Sequence, residues 1–228
     1  MKLIAEIGNN HFGDFPLAKE MIVAASDSGA HLVKLQAFEP RDLYSGTMGK
    51  EFYDQCAFTL DQYEELIVFG KTKGIDVFYS IFSDSVAKLR HMQRWQKKSG
   101  KQVVKEVEAG AFIDFPRTFL SFPKTHVFRA AGLENAVPLY VSDYLTHDPE
   151  LFRLSYLAKL NPGRPFGYSD HTVGIDACEI AVKTYGARVI EKHFTMEKNL
   201  NFRGQIFRDT VHSATPNEFR NLAKLIKV

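Results

Sequence analysis

Short apolar, β-rich runs alternate with helix-like segments along most of this 228-residue chain, and that alternation limits the possible folds more than any single motif does. The runs are Leu3–Ile7, Leu32–Leu35, Asp76–Phe82, Val103–Val107, Thr125–Ala130, Pro138–Ser142, Pro165–Tyr168 and Arg188–Phe194. Between most of them lie helix-like segments at Phe15–Ser28, Leu60–Lys73, Asp84–Trp95, Pro149–Leu160, Ile175–Tyr185 and Pro216–Lys227. Several of these end in glycine before the next strand, as in Ser28-Gly29-Ala30, Lys73-Gly74-Ile75 and Tyr185-Gly186-Ala187. Repeated strand–helix units require a parallel sheet with right-handed crossovers. Eight such strands predict an α/β fold of the (β/α)₈ TIM-barrel type, compact beside the usual length of about 250 residues. A Rossmann fold is disfavoured, because the first strand is followed by Gly8-Asn9-Asn10-His11-Phe12-Gly13 rather than Gly-x-Gly-x-x-Gly. Residues Arg94–Gly110 mix Gln, Lys and Glu with valines, and Phe112–Pro123 carries too much Phe and Pro for a regular long helix. The fourth crossover is therefore expected to be irregular.

With 45% hydrophobic and 25% charged residues, the chain can bury a core, and no low-complexity linker marks a second domain within residues 1–228. The net charge of +2 is spread without a long basic run, so no nucleic-acid or membrane partner is expected, while a small anionic substrate stays open. No stretch approaches the roughly 18 apolar residues of a membrane span. The start, Met1-Lys2-Leu3-Ile4-Ala5-Glu6, is charged where the apolar segment of a signal peptide would continue, and the expected location is the cytoplasm. Cys56 and Cys178 are far apart and outside any Cys-x-x-Cys pair, so both are read as reduced packing residues.

In such a barrel the carboxyl ends of the strands converge on one face, and the residues placed there decide the chemistry. His171, in Gly167-Tyr168-Ser169-Asp170-His171-Thr172, and His193, in Glu191-Lys192-His193-Phe194, occupy matching strand-end positions. Adjacent strands bring such imidazoles within reach of one divalent metal, with open positions left for water or a substrate carbonyl. Strand geometry puts Lys34 and Gln36 on one face, and likewise Glu191 and His193. A buried lysine or glutamate costs several kcal/mol unless paired. Lys34 and Glu191 therefore read either as an ion pair filling the barrel or as an anion-binding lysine with an orienting carboxylate. Glu6, Asn9 and His11 cluster at the end of the first strand; turn chemistry accounts for Gly8 and one Asn but not for Glu6 pointing inward. His11 divides between a functional residue and a brace for its own loop. Asp209 lies in a segment read as a loop, before a final helix announced by Thr215 and Glu218 three residues apart.

The runs Ile4–Gly13, Val33–Gln36, Gly167–Thr172 and Ile190–Thr195, in this order, resemble the N-acetylneuraminate (sialic acid) synthase family over most of the chain. Phe82-Ser83-Asp84, Arg208-Asp209 with Ser213, and Pro216-Asn217-Glu218-Phe219 extend the match. The resemblance implies a (β/α)₈ barrel that condenses phosphoenolpyruvate with an N-acetylated amino sugar, giving a 2-keto sugar acid and phosphate. It implies a divalent metal, Mn²⁺ or Mg²⁺, on His171 and His193. Glu6 would manage protons, Lys34 and Ser169 would contact phosphoenolpyruvate, and Gln36 and Asp209 would contact the sugar. Asn9, His11, Ser142, Asp170 and Glu191 complete the expected substrate-binding set, together with Arg129 and Asp143.

Three departures from the family pattern bear on activity. The family's Lys-Ile-Gly-Ser-Gly-Glu-like strand corresponds to Glu106-Val107-Glu108-Ala109-Gly110-Ala111, without its lysine and serine. A Ser-Thr-Gly strand end corresponds to Arg129-Ala130-Ala131-Gly132, where Arg129 would supply a phosphate-holding guanidinium. A family asparagine corresponds to Asp143, which would repel an anion. The family also carries an antifreeze-like domain after the barrel, so either a homodimer or another polypeptide closes the site here, or the catalysis differs. Two rival readings therefore stand: a metal-dependent aldolase or isomerase that does not use phosphoenolpyruvate, and a catalytically silent sugar-binding or regulatory protein.

Overall fold

The computed structural model describes residues 1–44, 49–82, 118–122, 136–142 and 149–226. Its strands are β1 (Lys2–Gly8), β2 (Leu32–Ala37), β3 (Asp76–Ile81), β4 (Thr118–Phe122), β5 (Ala136–Val141), β6 (Gly167–Asp170) and β7 (Val189–His193). They lie in the order β3-β2-β1-β7-β6-β5-β4, with every neighbouring pair parallel. Taken as a ring, that is chain order broken only between β3 and β4. An open doubly wound sheet reverses direction at a switch point. Here β7 instead returns to β1, with Lys2 opposite Val189 and Glu6 opposite His193, as in a wrapped barrel. The described strands form a parallel half-barrel. The expected strands Val103–Val107 and Thr125–Ala130 and the expected helix Asp84–Trp95 fall outside the described residues, as would any eighth strand between β3 and β4.

The helices are α1 (Phe15–Asp27), α2 (Gly49–Cys56), α3 (Leu60–Thr72), α4 (Arg153–Leu160), α5 (Asp176–Lys183), α6 (Arg208–His212) and α7 (Pro216–Leu225). Helix α1 starts behind Asp14, whose carboxylate accepts the Leu17 N–H at 2.9 Å, with a proline in the first turn. Capping boxes open α3, through Thr59 and Gln62, and α7, through Thr215 and Glu218, the second as its sequence predicts. Their apolar stripes, including Met21, Leu66 and Phe219, cover the outer strand face built from residues such as Ala5, Val33 and Ile190. No helix among the described residues is long and apolar enough to cross a membrane.

Several elements differ from the sequence expectation. Strand β4 lies inside Phe112–Pro123, because Pro116 and Pro123 flank the Thr-Phe-Leu-Ser-Phe run instead of interrupting it. Helix α2 has only Phe52 and Cys56, one turn apart, as buried residues, too sparse a stripe to announce itself. The segment around Asp209, expected as a loop, forms α6, and before it a short hairpin pairs β8 (Asn201–Phe202) with β9 (Gln205–Ile206).

The inner face carries a second, smaller core of Ile4, Leu32, Phe78, Val137, Leu139 and Val189. Burying each such side chain is worth roughly 1.5–3 kcal/mol. Gly167 completes this plug by having no side chain, since a Cβ there would lie 2.4 Å from the Val189 carbonyl oxygen and 2.5 Å from Leu139 Cδ2. Two residues further along the same faces stand Glu6, Lys34, Ser80, Ser169 and Glu191, all buried. Five strands thus change from apolar to polar just above the plug, and the site begins there.

Candidate active site

Lys34 on β2 lies between two carboxylates: its Nζ is 2.7 Å from Glu191 Oε1 and ion-pairs with Glu6 Oε2. Ser169 Oγ on β6 donates to the same Glu191 oxygen at 2.8 Å. The pair foreseen as a barrel-filling alternative is therefore present, with Glu6 added to it. Glu6 Oε1 is buried and has no hydrogen-bond partner among the described residues. Leaving such an acceptor unsatisfied costs about 1–3 kcal/mol or more, so its neighbourhood is a place where a ligand donor repays the fold.

That neighbourhood is defined by Gly8, where the register of β1 shifts and φ is +56°. A Cβ on Gly8 would lie 3.4 Å from Glu6 Oε1, 3.6 Å from Gln36 Nε2 and 3.6 Å from His193 Cε1. Side chains from three strands surround this cradle, which any larger residue would fill. Asn9 Nδ2 donates to Gln36 Oε1 at 2.9 Å, while the buried Asn9 Oδ1 makes no hydrogen bond among the described residues.

His171 follows β6 directly and His193 ends β7, and their rings lie 5.0 Å apart, centroid to centroid, at 63°. Burial pushes the His171 pKa down to about 3, aided by His193, while Asp209, Asp170 and Glu191 pull the other way. Burial, then Lys34, lowers His193 to about 3 as well. Both rings are therefore neutral at physiological pH and carry lone pairs, the form that binds a metal. Among the described residues no group of three His, Cys, Asp or Glu side chains is arranged to hold a metal ion. The two imidazoles suit a divalent cation that keeps its other positions for water and substrate oxygens. Asp209, on α6 and buried, is close enough for its charge to act on His171.

Other expected site residues lie elsewhere. Asp170 turns to the outer face, beneath α5, where it accepts from Tyr168, Thr172 and Cys178 and pairs with Lys192. Strand alternation accounts for this, since Ser169 already takes the inner face. Ser142 accepts the His171 N–H at 3.0 Å, so it holds backbone in place. His11 braces its loop: Nδ1 accepts the Gly13 N–H at 3.0 Å, and the ring stacks on Phe58 with centroids 4.4 Å apart. Arg129 and Asp143 lie outside the described residues. Two residues were not foreseen. Asn10 Nδ2 donates to the Phe194 carbonyl at 2.8 Å and to Ser213 Oγ at 2.9 Å, tying the β1 loop to the end of β7 and to α6. Lys192, completely buried, is the other; like Lys34, it is a lysine in an otherwise apolar strand.

Burial holds the His11 pKa at about 3, below the unfolded value of 6.5, so the folded state binds fewer protons than the unfolded state between those values. The resulting stability is complete above about pH 6.5 and is lost as pH falls toward 3. His11→Gln is expected to lose about 1.5–2 kcal/mol less than the parent between pH 6.5 and 5, by urea unfolding at both pH values. Identical losses would show that His11 is not the titrating group.

Residues 139–228 match the NeuB family. Over 99% of its length the chain aligns with pseudaminic acid synthase of Helicobacter pylori, 28% identical over 260 residues and covering 73% of that protein. N,N'-diacetyllegionaminic acid synthase of Legionella pneumophila is 29% identical over 259 residues, 99% of this chain and 71% of that one. In fold, the crystal structure of N-acetylneuraminic acid synthetase from Leptospira borgpetersenii superposes with a TM-score of 0.75 at 22% identity, over 99% of this chain and 82% of that one. The family match covers the segment that carries Ser169, His171, Glu191, His193 and Asp209. Residues 139–228 thus match the NeuB family, and nearly the whole chain is similar to pseudaminic and legionaminic acid synthases.

Proposed function

We propose that this protein condenses phosphoenolpyruvate with an N-acetylated amino sugar aldehyde to form a 2-keto sugar acid, using Mn²⁺ or Mg²⁺ held by His171 and His193. The observation that carries this reading is the convergence of Glu6, Gln36 and His193 on the Gly8 cradle, directly above Lys34. A divalent cation between the two imidazoles would polarise the aldehyde carbonyl. Lys34, fixed between Glu6 and Glu191, offers positive charge to the carboxylate of the donor. Glu6 Oε1 accepts a hydrogen bond from a hydroxyl or water at the cradle and is placed to handle the proton that the new hydroxyl requires. Gln36 Nε2 and Asn9 Oδ1 present a donor and an acceptor suited to an acetamido group. The enol carbon bonds to the aldehyde carbon, the aldehyde oxygen takes a proton, water adds at the donor's C2, and phosphate leaves.

The test is incubation with phosphoenolpyruvate, N-acetylmannosamine or a related amino sugar, and Mn²⁺. A 2-keto acid product with one phosphate per turnover is expected, reduced about a hundredfold or more by His171→Ala. Phosphate release without a 2-keto acid product would overturn the proposal.

A further inference from the structure

Behind the imidazole pair, on the outer face of β6 and β7, a completely buried ion pair joins two residues that lie opposite each other in the strand register: Asp170 Oδ2 and Lys192 Nζ, 2.7 Å apart. Asp170 also accepts the Thr172 N–H at 2.9 Å, the Thr172 hydroxyl at 2.8 Å and the Cys178 thiol at 3.1 Å. Lys192 reaches the Thr172 carbonyl at 2.5 Å. Tyr168 Oη lies 2.9 Å from both Asp170 Oδ1 and Ser142 Oγ. The tyrosine has one hydroxyl proton and the carboxylate can only accept, so Tyr168 donates to Asp170 and accepts from Ser142. Ser142 Oγ in turn accepts the His171 N–H at 3.0 Å.

His171 is thus held from both sides, through Asp170 and Thr172 as well as through its own amide, while Lys192 immediately precedes His193. Successive strand residues point to opposite faces, so a lock between residues 170 and 192 outside fixes the spacing of residues 171 and 193 inside. Stability alone does not explain such a pair, because well-packed apolar residues of similar volume replace buried ion pairs at little or no cost. Fixing the position of its neighbours is a role that an apolar pair would not fill.

We propose that the Asp170–Lys192 pair is a positioning device that sets His171 against His193 for joint use. The metal arm of this inference rests on the function proposed above; its geometric arm does not. The Asp170→Asn/Lys192→Met double variant removes both charges together, and Ser142→Ala loosens only the amide of His171. Three quantities are to be measured on the full chain: the unfolding midpoint, amide hydrogen exchange at His171 and Thr172 without metal, and Mn²⁺ affinity by paramagnetic resonance. The double variant is expected to unfold within a few degrees of the parent, yet to exchange those amides at least tenfold faster and to bind Mn²⁺ at least tenfold more weakly. Ser142→Ala is expected to change exchange and affinity in the same direction by less, and it decides the question if the double variant does not fold. Unchanged exchange in a folded variant overturns the inference. A parent protein with no Mn²⁺ affinity overturns the metal reading instead, and the exchange rates still decide the clamp.

Discussion

Lys34→Met is expected to destabilise the protein by about 3–5 kcal/mol and to abolish the condensation proposed above. The substitution keeps the length and packing of the side chain and removes only the ammonium that Glu6 and Glu191 share. Two carboxylates then face each other in a place where the charges of both parent partners are almost completely buried, and one of them must take up a proton. That gives the effect a pH signature. A carboxyl group whose folded pKa lies above its unfolded value stabilises most in acid and loses that contribution as pH rises. The variant should therefore lie closer to the parent at pH 5 than at pH 8 in urea unfolding. Equal penalties at both pH values would show that carboxylate repulsion is not the cause. Adding Glu191→Gln to Lys34→Met removes one of the stranded charges and should recover part of the stability but none of the activity.

A loss of the same size, about 3–5 kcal/mol, is expected of Lys192→Met, with the unfolding temperature lower by about 6–20 °C for a chain of this size. Burial works to raise the Asp170 pKa, but Lys192 and the Thr172 bonds outweigh it and hold the carboxyl below its ordinary value. Without the lysine, burial dominates and the carboxyl draws a proton. Asp170→Asn in the same chain removes the stranded charge while keeping acceptor geometry for Thr172, and most of the lost stability should return. Differential scanning calorimetry of the parent, the single variant and the double variant measures both steps. A single variant as stable as the parent would mean that the pair contributes nothing to the fold.

The parallel architecture was legible because a strand buried on both faces leaves a continuous apolar run, and six of those runs became β1, β2, β3, β5, β6 and β7. Glu6, Lys34 and Glu191 were legible for the opposite reason, as charges in strands that had no other use for them. Period-two alternation then placed them on one face with His193, as the structure has them. The same alternation should have removed Asp170 from the site, since Ser169 and Asp170 cannot both face inward. His11 was ambiguous because bracing a loop and binding a ligand ask for the same ring in the same loop, and only the Gly13 and Phe58 contacts separate them. Asn10 and Ser142 were illegible as supports because their partners, Ser213 and His171, are far away in sequence and meet them only after folding.

The apolar plug of Ile4, Leu32, Phe78, Val137, Leu139 and Val189 also has a kinetic meaning. Among the described residues it fills the inner face beneath Lys34, so a ligand that meets Lys34 is expected to enter from the side where Gln36 and the imidazoles stand. In a one-ended well the occupant of the deeper berth has to arrive first and depart last. On the function proposed above, the donor that meets Lys34 is therefore expected to bind before the acceptor that meets His193.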